Sequence, residues 1–336
     1  MLRSVLESHL SPFGSSKENA SPTIEHPSKA TAAKSFSPGA LGSVSRTWSP
    51  TKPQPPPPAP FTTTICDFDI GDLIGKGNTS RVYVVRAKRT GRVLALKTIY
   101  KSRLMQSDKL AYRQMQREIE IQSKFNHPHI CRLYSYFHDD TKVYLVLEHC
   151  ARGNLMQVLE RRQKPFSEEE SARIIRPLAN ALATMHRFQV AHRDVKTENI
   201  LMDGNDQVKL GDFGCAVANL EHGRAMRQTT LCGTTEYLAC ELVEGLPYDE
   251  SVDNWALGIV LYELLCGAGN TPFAAPTDVQ VFDNITSKEI DFASVGSSKV
   301  TQVLYGLISR NPRQRMRAKD LETSAWIADL AVGDLV

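Results

Sequence analysis

Residues 191–215, AHRDVKTENILMDGNDQVKLGDFGC, carry the reading that decides the fold. Asp194, Lys196 and Asn199 fall within six residues on a turn-like segment, and Asp212 precedes Phe213-Gly214 just after a short strand, Val208-Lys209-Leu210. Asn199 and Asp212 offer oxygen donors that suit a hard cation such as Mg2+, which takes one or two protein oxygens together with substrate phosphates. Asp194 is then placed to orient a hydroxyl nucleophile and accept its proton, while Lys196 neutralises charge on the group being transferred.

Upstream, IGKGNTSRV at 74–82 lies between two strand patterns rather than between a strand and a helix. Gly75 and Gly77 let the backbone approach a phosphate closely, although a glycine turn in a hairpin is commonly only a turn. No Gly-Lys-Ser/Thr follows, which excludes a Walker-type loop. The surrounding stretch, 67–100, alternates apolar and polar residues with a second turn at Thr90-Gly91, and predicts a three-stranded antiparallel meander. Ala95-Leu96-Lys97 puts a charged amine in an apolar strand, where it needs an anionic partner. From about Ser107 the period becomes helical through Tyr112, Met115 and Ile119, with Asp108 near the positive end of the dipole. Glu118, at the flank of that stripe, can supply the partner for Lys97.

CRLYSYF and KVYLVLEHC read as two more strands. Beyond Gly153 the pattern is mainly helical. FSEEESARIIRPLANALATMHRF opens with Ser167 and Glu170 as a capping box and carries Ala172, Ile175, Leu178, Leu182 and Met185 on one face. Pro177 inside it predicts a kink. The expected class is therefore α+β: a small antiparallel β-sheet lobe with one long helix, 65–150, followed by a larger mainly helical lobe, 151–336.

Residues 1–64 hold eleven of the eighteen prolines, including PQPPPPAP, and few large apolar groups, so they read as a disordered Pro/Ser-rich tail. They also hold six Lys and Arg against three Asp and Glu, the whole net charge of +3, and the balanced remainder gives no strong field for direct nucleic-acid binding. No signal peptide is expected at the N-terminus, and the longest apolar stretch, WALGIVLYELLCG, is interrupted by Glu263, so no membrane association is expected. Seven irregularly spaced cysteines read as reduced thiols of an intracellular protein.

Taken together, the Gly-x-Gly-x-x-x-x-Val of 75–82, Ala-Leu-Lys, HRDVKTEN and Asp-Phe-Gly resemble the protein-kinase set in order and spacing, over roughly 68–327. Lys196, two residues after Asp194, implies serine/threonine specificity. DFDIGDLIGKG, LALKTIYKS, REIEIQSKFNHPHICRLYSYFHD, VYLVLEHCARG, TTLCGTTEYL and VDNWALGIVLYELLCG are most similar to the Aurora family.

That resemblance implies a two-lobed enzyme with ATP in the cleft beneath Gly75, Gly77 and Val82. Its adenine would lie against Ile74, Ala95, Leu147 and Leu201, with hinge contacts on Glu148 and Cys150. Lys97 and Glu118 would position the phosphates, Asn199 and Asp212 would hold Mg2+, and Asp194 would be the base. The polar, threonine-rich stretch Arg224–Glu241 then becomes the activation segment, with Thr230 as the activating phosphosite held by Arg193 and Arg117. Thr234 is expected against Asp194 and Lys196, and Asp253 against the backbone of the catalytic turn.

The resemblance further implies protein substrates with basic Ser/Thr sites, an arginine two residues before the acceptor being met by Glu198 and Glu263. Arg227 stands two residues before Thr229 but three before Thr230, so Thr229 is a competing acceptor. An activating protein partner on the small lobe, INCENP-like or TPX-like, follows, as does work in the nucleus and cytoplasm at spindle, centrosome or chromosomes. The Lys17-Glu18-Asn19 tripeptide matches a mitotic degradation signal. Four positions depart from the family pattern: Ser80 replaces the third glycine, Cys215 a tryptophan, Cys240 the proline of Ala-Pro-Glu, and Met316 a proline. None removes a catalytic group. The rival readings are a basophilic kinase outside the Aurora group and a pseudokinase scaffold.

Overall fold

The computed structural model describes residues 63–107, 109–218 and 232–332. Readings that fall on 1–62, on Asp108, and on Thr229 and Thr230 lie outside the described residues.

Period-two alternation builds the first sheet. Strands β1 (Phe68–Lys76), β2 (Ser80–Ala87) and β3 (Val93–Tyr100) form the expected meander, and Gly91, at φ +69°, makes the turn between the last two. Helices α1 (Lys101–Ser107) and α2 (Lys109–Gln122) follow, then β4 (Leu133–His138) and β5 (Lys142–Leu147), giving an antiparallel sheet in the order β1-β2-β3-β5-β4. On one face Leu94 and Leu96 pack with Phe68, Val85, Tyr144 and Val146. On the other, Ile99, Val143 and Leu145 pack with Met115 and Ile119 of α2. Lys97 alternates with Leu96 and therefore faces α2, which is what brings it to Glu118.

The helical part begins at β6 (Gly153–Asn154). Asn154 caps α3 (Leu155–Arg162), accepting a bond from the Gln157 amide. Ser167 caps α4 (Glu168–Arg187), and the Glu170 carboxylate returns the favour to the Ser167 amide at 2.9 Å. Helix α4 continues through Pro177 as one element of 20 residues. Proline deprives the helix of a single N–H, and the buried stripe of Ile174, Ile175, Leu178, Ala181 and Leu182 holds the turns on either side.

Strands β7 (Ile200–Met202) and β8 (Val208–Leu210) pair antiparallel with Ile200 opposite Leu210. This hairpin explains how Asn199 and Asp212 meet: the Gly211 amide donates to the Asn199 carbonyl at 2.8 Å where the two strands end together. Helices α5 (Cys240–Val243), α6 (Ser251–Cys266), α7 (Asp278–Ser287), α8 (Ser298–Leu307), α9 (Ala318–Leu321) and α10 (Ala325–Val332) complete the chain. Helix α6 is apolar nearly all round and is buried accordingly, with Trp255 stacked on Phe273. The buried Arg315 guanidinium grips Glu241 with two bonds, 2.7 and 2.9 Å, and fixes α5 to the loop after α8 although Cys240 stands where a proline was expected. Among the described residues no helix is long and apolar enough to cross a membrane.

Candidate active site

A cleft of about 630 Å³ lies between the sheet and the β7–β8 hairpin. Ile74, Gly75, Gly77, Val82, Ala95, Lys97, Glu118, Leu147, Glu148, Cys150, Glu198, Asn199, Leu201 and Asp212 all line it. On the hinge the Glu148 amide donates to the Arg132 carbonyl at 2.9 Å, and the Glu148 carbonyl accepts from the Cys131 thiol at 3.8 Å. Its carboxylate points away, into a pair with Lys209 at 3.0 Å, and Lys209 also donates to the Pro128 carbonyl. Glu148 thus braces the hinge from behind.

The Lys97 ammonium lies 2.6 Å from Glu118 Oε1 and 3.1 Å from Asp212 Oδ1. Burial works to strip its proton, but the two carboxylates, Asp212 foremost, overcome that and raise its pKa above the ordinary lysine value. Asp212 is held down at about 2, chiefly by Lys97. Glu118 is pushed up by burial against the pull of Lys97.

Asp194, Lys196 and Asn199 converge on the catalytic turn. Asn199 Nδ2 donates to the Asp194 carbonyl at 2.9 Å and to Asp194 Oδ2 at 2.7 Å, and the Lys196 ammonium sits 3.1 Å from the same Oδ2. Asp194 Oδ1 is buried and has no hydrogen-bond partner among the described residues. The Asn199 nitrogen is engaged on Asp194, and Asp212 uses Oδ1 for Lys97 and the Gly214 amide. Asn199 and Asp212 therefore fit a hard oxygen-bound ion.

The turn itself is strained and braced. Arg193 and Asp212 both adopt left-handed backbone angles, φ +65° and +54°, which residues with side chains rarely do. Asp253, at the start of α6, takes the amides of His192 (2.9 Å) and Arg193 (2.8 Å), and His186 bonds the same carboxylate at 2.9 Å. Burial would raise the Asp253 pKa, and these partners bring it below the usual carboxylate value. The Asp194 amide donates to His192 Nδ1 at 3.3 Å, which leaves Nε2–H for the Gly211 carbonyl at 3.0 Å, so one imidazole links the two halves of the opening stretch. On the other side, the Lys196 ammonium bonds the Thr234 hydroxyl at 2.6 Å. Gly233, at φ +118°, sits so close that a Cβ there would lie 2.9 Å from the Arg193 carbonyl.

The protein kinase domain model matches residues 68–327. The chain is 42% identical to an Aurora kinase of Schizosaccharomyces pombe over 261 residues, 77% of this chain and 71% of the relative. It is 38% identical to an Aurora kinase of Yarrowia lipolytica over 282 residues, 82% of this chain and 74% of the relative. With Aurora kinase B of Danio rerio the identity is 36% over 264 residues, 79% of this chain and 80% of the relative. The chain belongs to the Aurora family of protein serine/threonine kinases.

Two features of this Aurora-family chain depart from the sequence reading. Glu263, expected to face a substrate arginine, is fully buried: it accepts bonds from Thr197, from the Gly269 amide and from Tyr237. Only Glu198, half-buried at the cleft, is left exposed to a peptide. The reading of all cysteines as reduced also fails, since Cys215 and Cys232 form a disulfide; the other five are free. The sulfurs meet because Cys215 leaves the Asp-Phe-Gly turn toward the loop that carries Gly233, a proximity no spacing rule reveals. Arg193 gives its Nε to the Cys215 carbonyl at 2.7 Å and an NH to the Tyr248 hydroxyl at 2.7 Å, and Arg117 is exposed on α2. The Lys209–Glu148 brace and the Glu263–Tyr237–Thr197 cluster escaped the sequence because each joins residues far apart in the chain without a periodic signal.

Proposed function

We propose that this kinase transfers the γ-phosphoryl group of ATP to Ser or Thr hydroxyls with Asp194 as the base, and the unpartnered, buried Oδ1 of Asp194 carries the reading. An acceptor hydroxyl supplies the hydrogen bond that this oxygen lacks and hands over its proton there as the new bond forms. Lys196 stays beside the reacting oxygen and is steadied by Thr234. Lys97, fixed by Glu118, meets the nucleotide phosphates, and the adenine edge is read by the Glu148 carbonyl and the Cys150 amide between Ile74, Ala95, Leu147 and Leu201. Mg2+ held by Asn199 and Asp212 supplies charge neutralisation for the phosphates.

Substrate choice rests on Glu198, which favours peptides with arginine two residues before the acceptor. The reading also includes activation by phosphorylation of Thr230, with Thr229 as a competing acceptor and Arg193 and Arg117 as phosphate ligands, a docked partner on the small lobe, and work on spindle, centrosome or chromosomes during division, which family membership supports. We read 65–150 and 151–336 as the two lobes of one catalytic domain and 1–64 as its tail. Single-turnover phosphorylation of an arginine-patterned peptide library by wild type and Asp194→Asn tests the core of this. Turnover in wild type with the minus-two preference, and its loss in the variant, is the expected result; equal turnover in both would refute the role of Asp194. Phosphosite mapping of the recombinant chain tests Thr230 against Thr229.

A further inference from the structure

We propose that Cys215 and Cys232 form a reversible thiol–disulfide site whose oxidised form does part of the ordering work of activation-segment phosphorylation. The inference rests on the reading of Arg224–Glu241 as that segment, which Cys215 precedes and Cys232 lies within. The two cysteines are separated by 17 positions, their Cα atoms stand 6.0 Å apart, and the bond closes the chain between them, Thr229 and Thr230 included, into one ring.

Each end of the ring leans on the catalytic turn. On the first side the Cys215 carbonyl accepts from Arg193, and Ala191 and Val217 exchange two backbone bonds at 3.0 and 2.9 Å. On the second side Gly233 packs on the Arg193 carbonyl and Thr234 bonds Lys196. The disulfide joins these two contacts covalently, beside Arg193, the cation a phosphothreonine would otherwise have to recruit. With the bond in place the Lys97–Glu118 pair is closed and Lys196 sits against Asp194, so the oxidised form is compatible with an assembled site. Closing a ring of this length removes chain entropy from the states in which the two cysteines stand apart. The full chain-entropy value corresponds to roughly a hundredfold bias, of which we expect about tenfold to appear in rate.

The chemistry balances with a hydroperoxide as the two-electron oxidant. One thiolate attacks the peroxide oxygen, breaking the O–O bond and leaving a sulfenic acid; the second thiolate attacks that sulfur, the S–S bond forms, and the oxygen departs as water. With hydrogen peroxide the sum is two thiols and one peroxide giving one disulfide and two waters. A dithiol reductant reverses it by exchange.

The test uses the full chain, phosphatase-treated, then either reduced with dithiothreitol or equilibrated with hydrogen peroxide that is removed before assay. Non-reducing peptide mapping is expected to find Cys215 linked to Cys232, and the initial rate on an arginine-patterned peptide is expected to be about tenfold higher oxidised than reduced. In Cys215→Ser and in Cys232→Ser the oxidised-to-reduced ratio, taken within each variant, is expected to fall to about one. No link at full oxidation, a link with unchanged or lower rate, or an undiminished ratio in either variant overturns the proposal. Failure of the activation-segment reading shows separately, as a reduced wild type whose rate does not respond to phosphorylation of Thr230.

Discussion

Two aspartates on opposite sides of the same turn have been treated differently by the fold. Asp253 is wholly buried and has its oxygens engaged by two backbone amides and His186. Asp194, whose side chain keeps 13% exposure, has one oxygen held by Asn199 and Lys196 and the other buried with no partner among the described residues. A buried acceptor left without a donor costs about 1–3 kcal/mol, so the fold tolerates at Asp194 a cost that it avoids at Asp253.

The sharpest way to break this division is Asp194→Asn. Its rate should fall by about 10²–10⁴, the typical worth of a positioned base, while thermal stability stays at or above wild type; a loss of stability as large as that caused by altering Asp253 would erase the distinction. Next is Lys97→Ala. It strands the buried Glu118, and denaturant titration should show a loss of about 3–5 kcal/mol, together with a raised KM for ATP. Adding Glu118→Gln should recover part of that stability without recovering activity. Asp253→Asn should cost about 1–3 kcal/mol and lower kcat through the loosened turn, a double effect that Asp194→Asn does not share.

The smallest effect is in pH. The native pKa of Asp253 lies below its unfolded value, so its contribution is complete above about pH 4 and drains away as pH falls through the native value. The gap in melting temperature between wild type and Asp253→Asn should therefore be constant near neutrality and close on acidification. A gap that widened toward acid would reverse the sign.

Much of this site could be read before any coordinate. Lys97 was legible because a charge in an apolar strand demands a counter-charge, and Glu118 because helical spacing sets it beside the stripe that packs on that strand. Asn199 and Asp212 were legible as oxygen donors, one on a turn-like segment and one after a short strand, but the hairpin that joins them was not. Glu263 was misread because its sequence position shows a carboxylate but not its burial, and it takes Thr197, Tyr237 and Gly269 together to enclose it. The Cys215–Cys232 bond was hidden by an odd number of cysteines that permits many pairings. Pro177 was read as lying inside a helix, and that helix is one element of 20 residues with five buried side chains around the proline.

Gly233 has a last consequence. Because nothing but hydrogen stands between its α-carbon and the Arg193 carbonyl, the height of the peptide-side loop above the catalytic turn is gauged by main chain on main chain. Such a gauge is indifferent to the identity of surrounding side chains. It sets the spacing of the two backbones while Cys232 beside it carries the disulfide to Cys215.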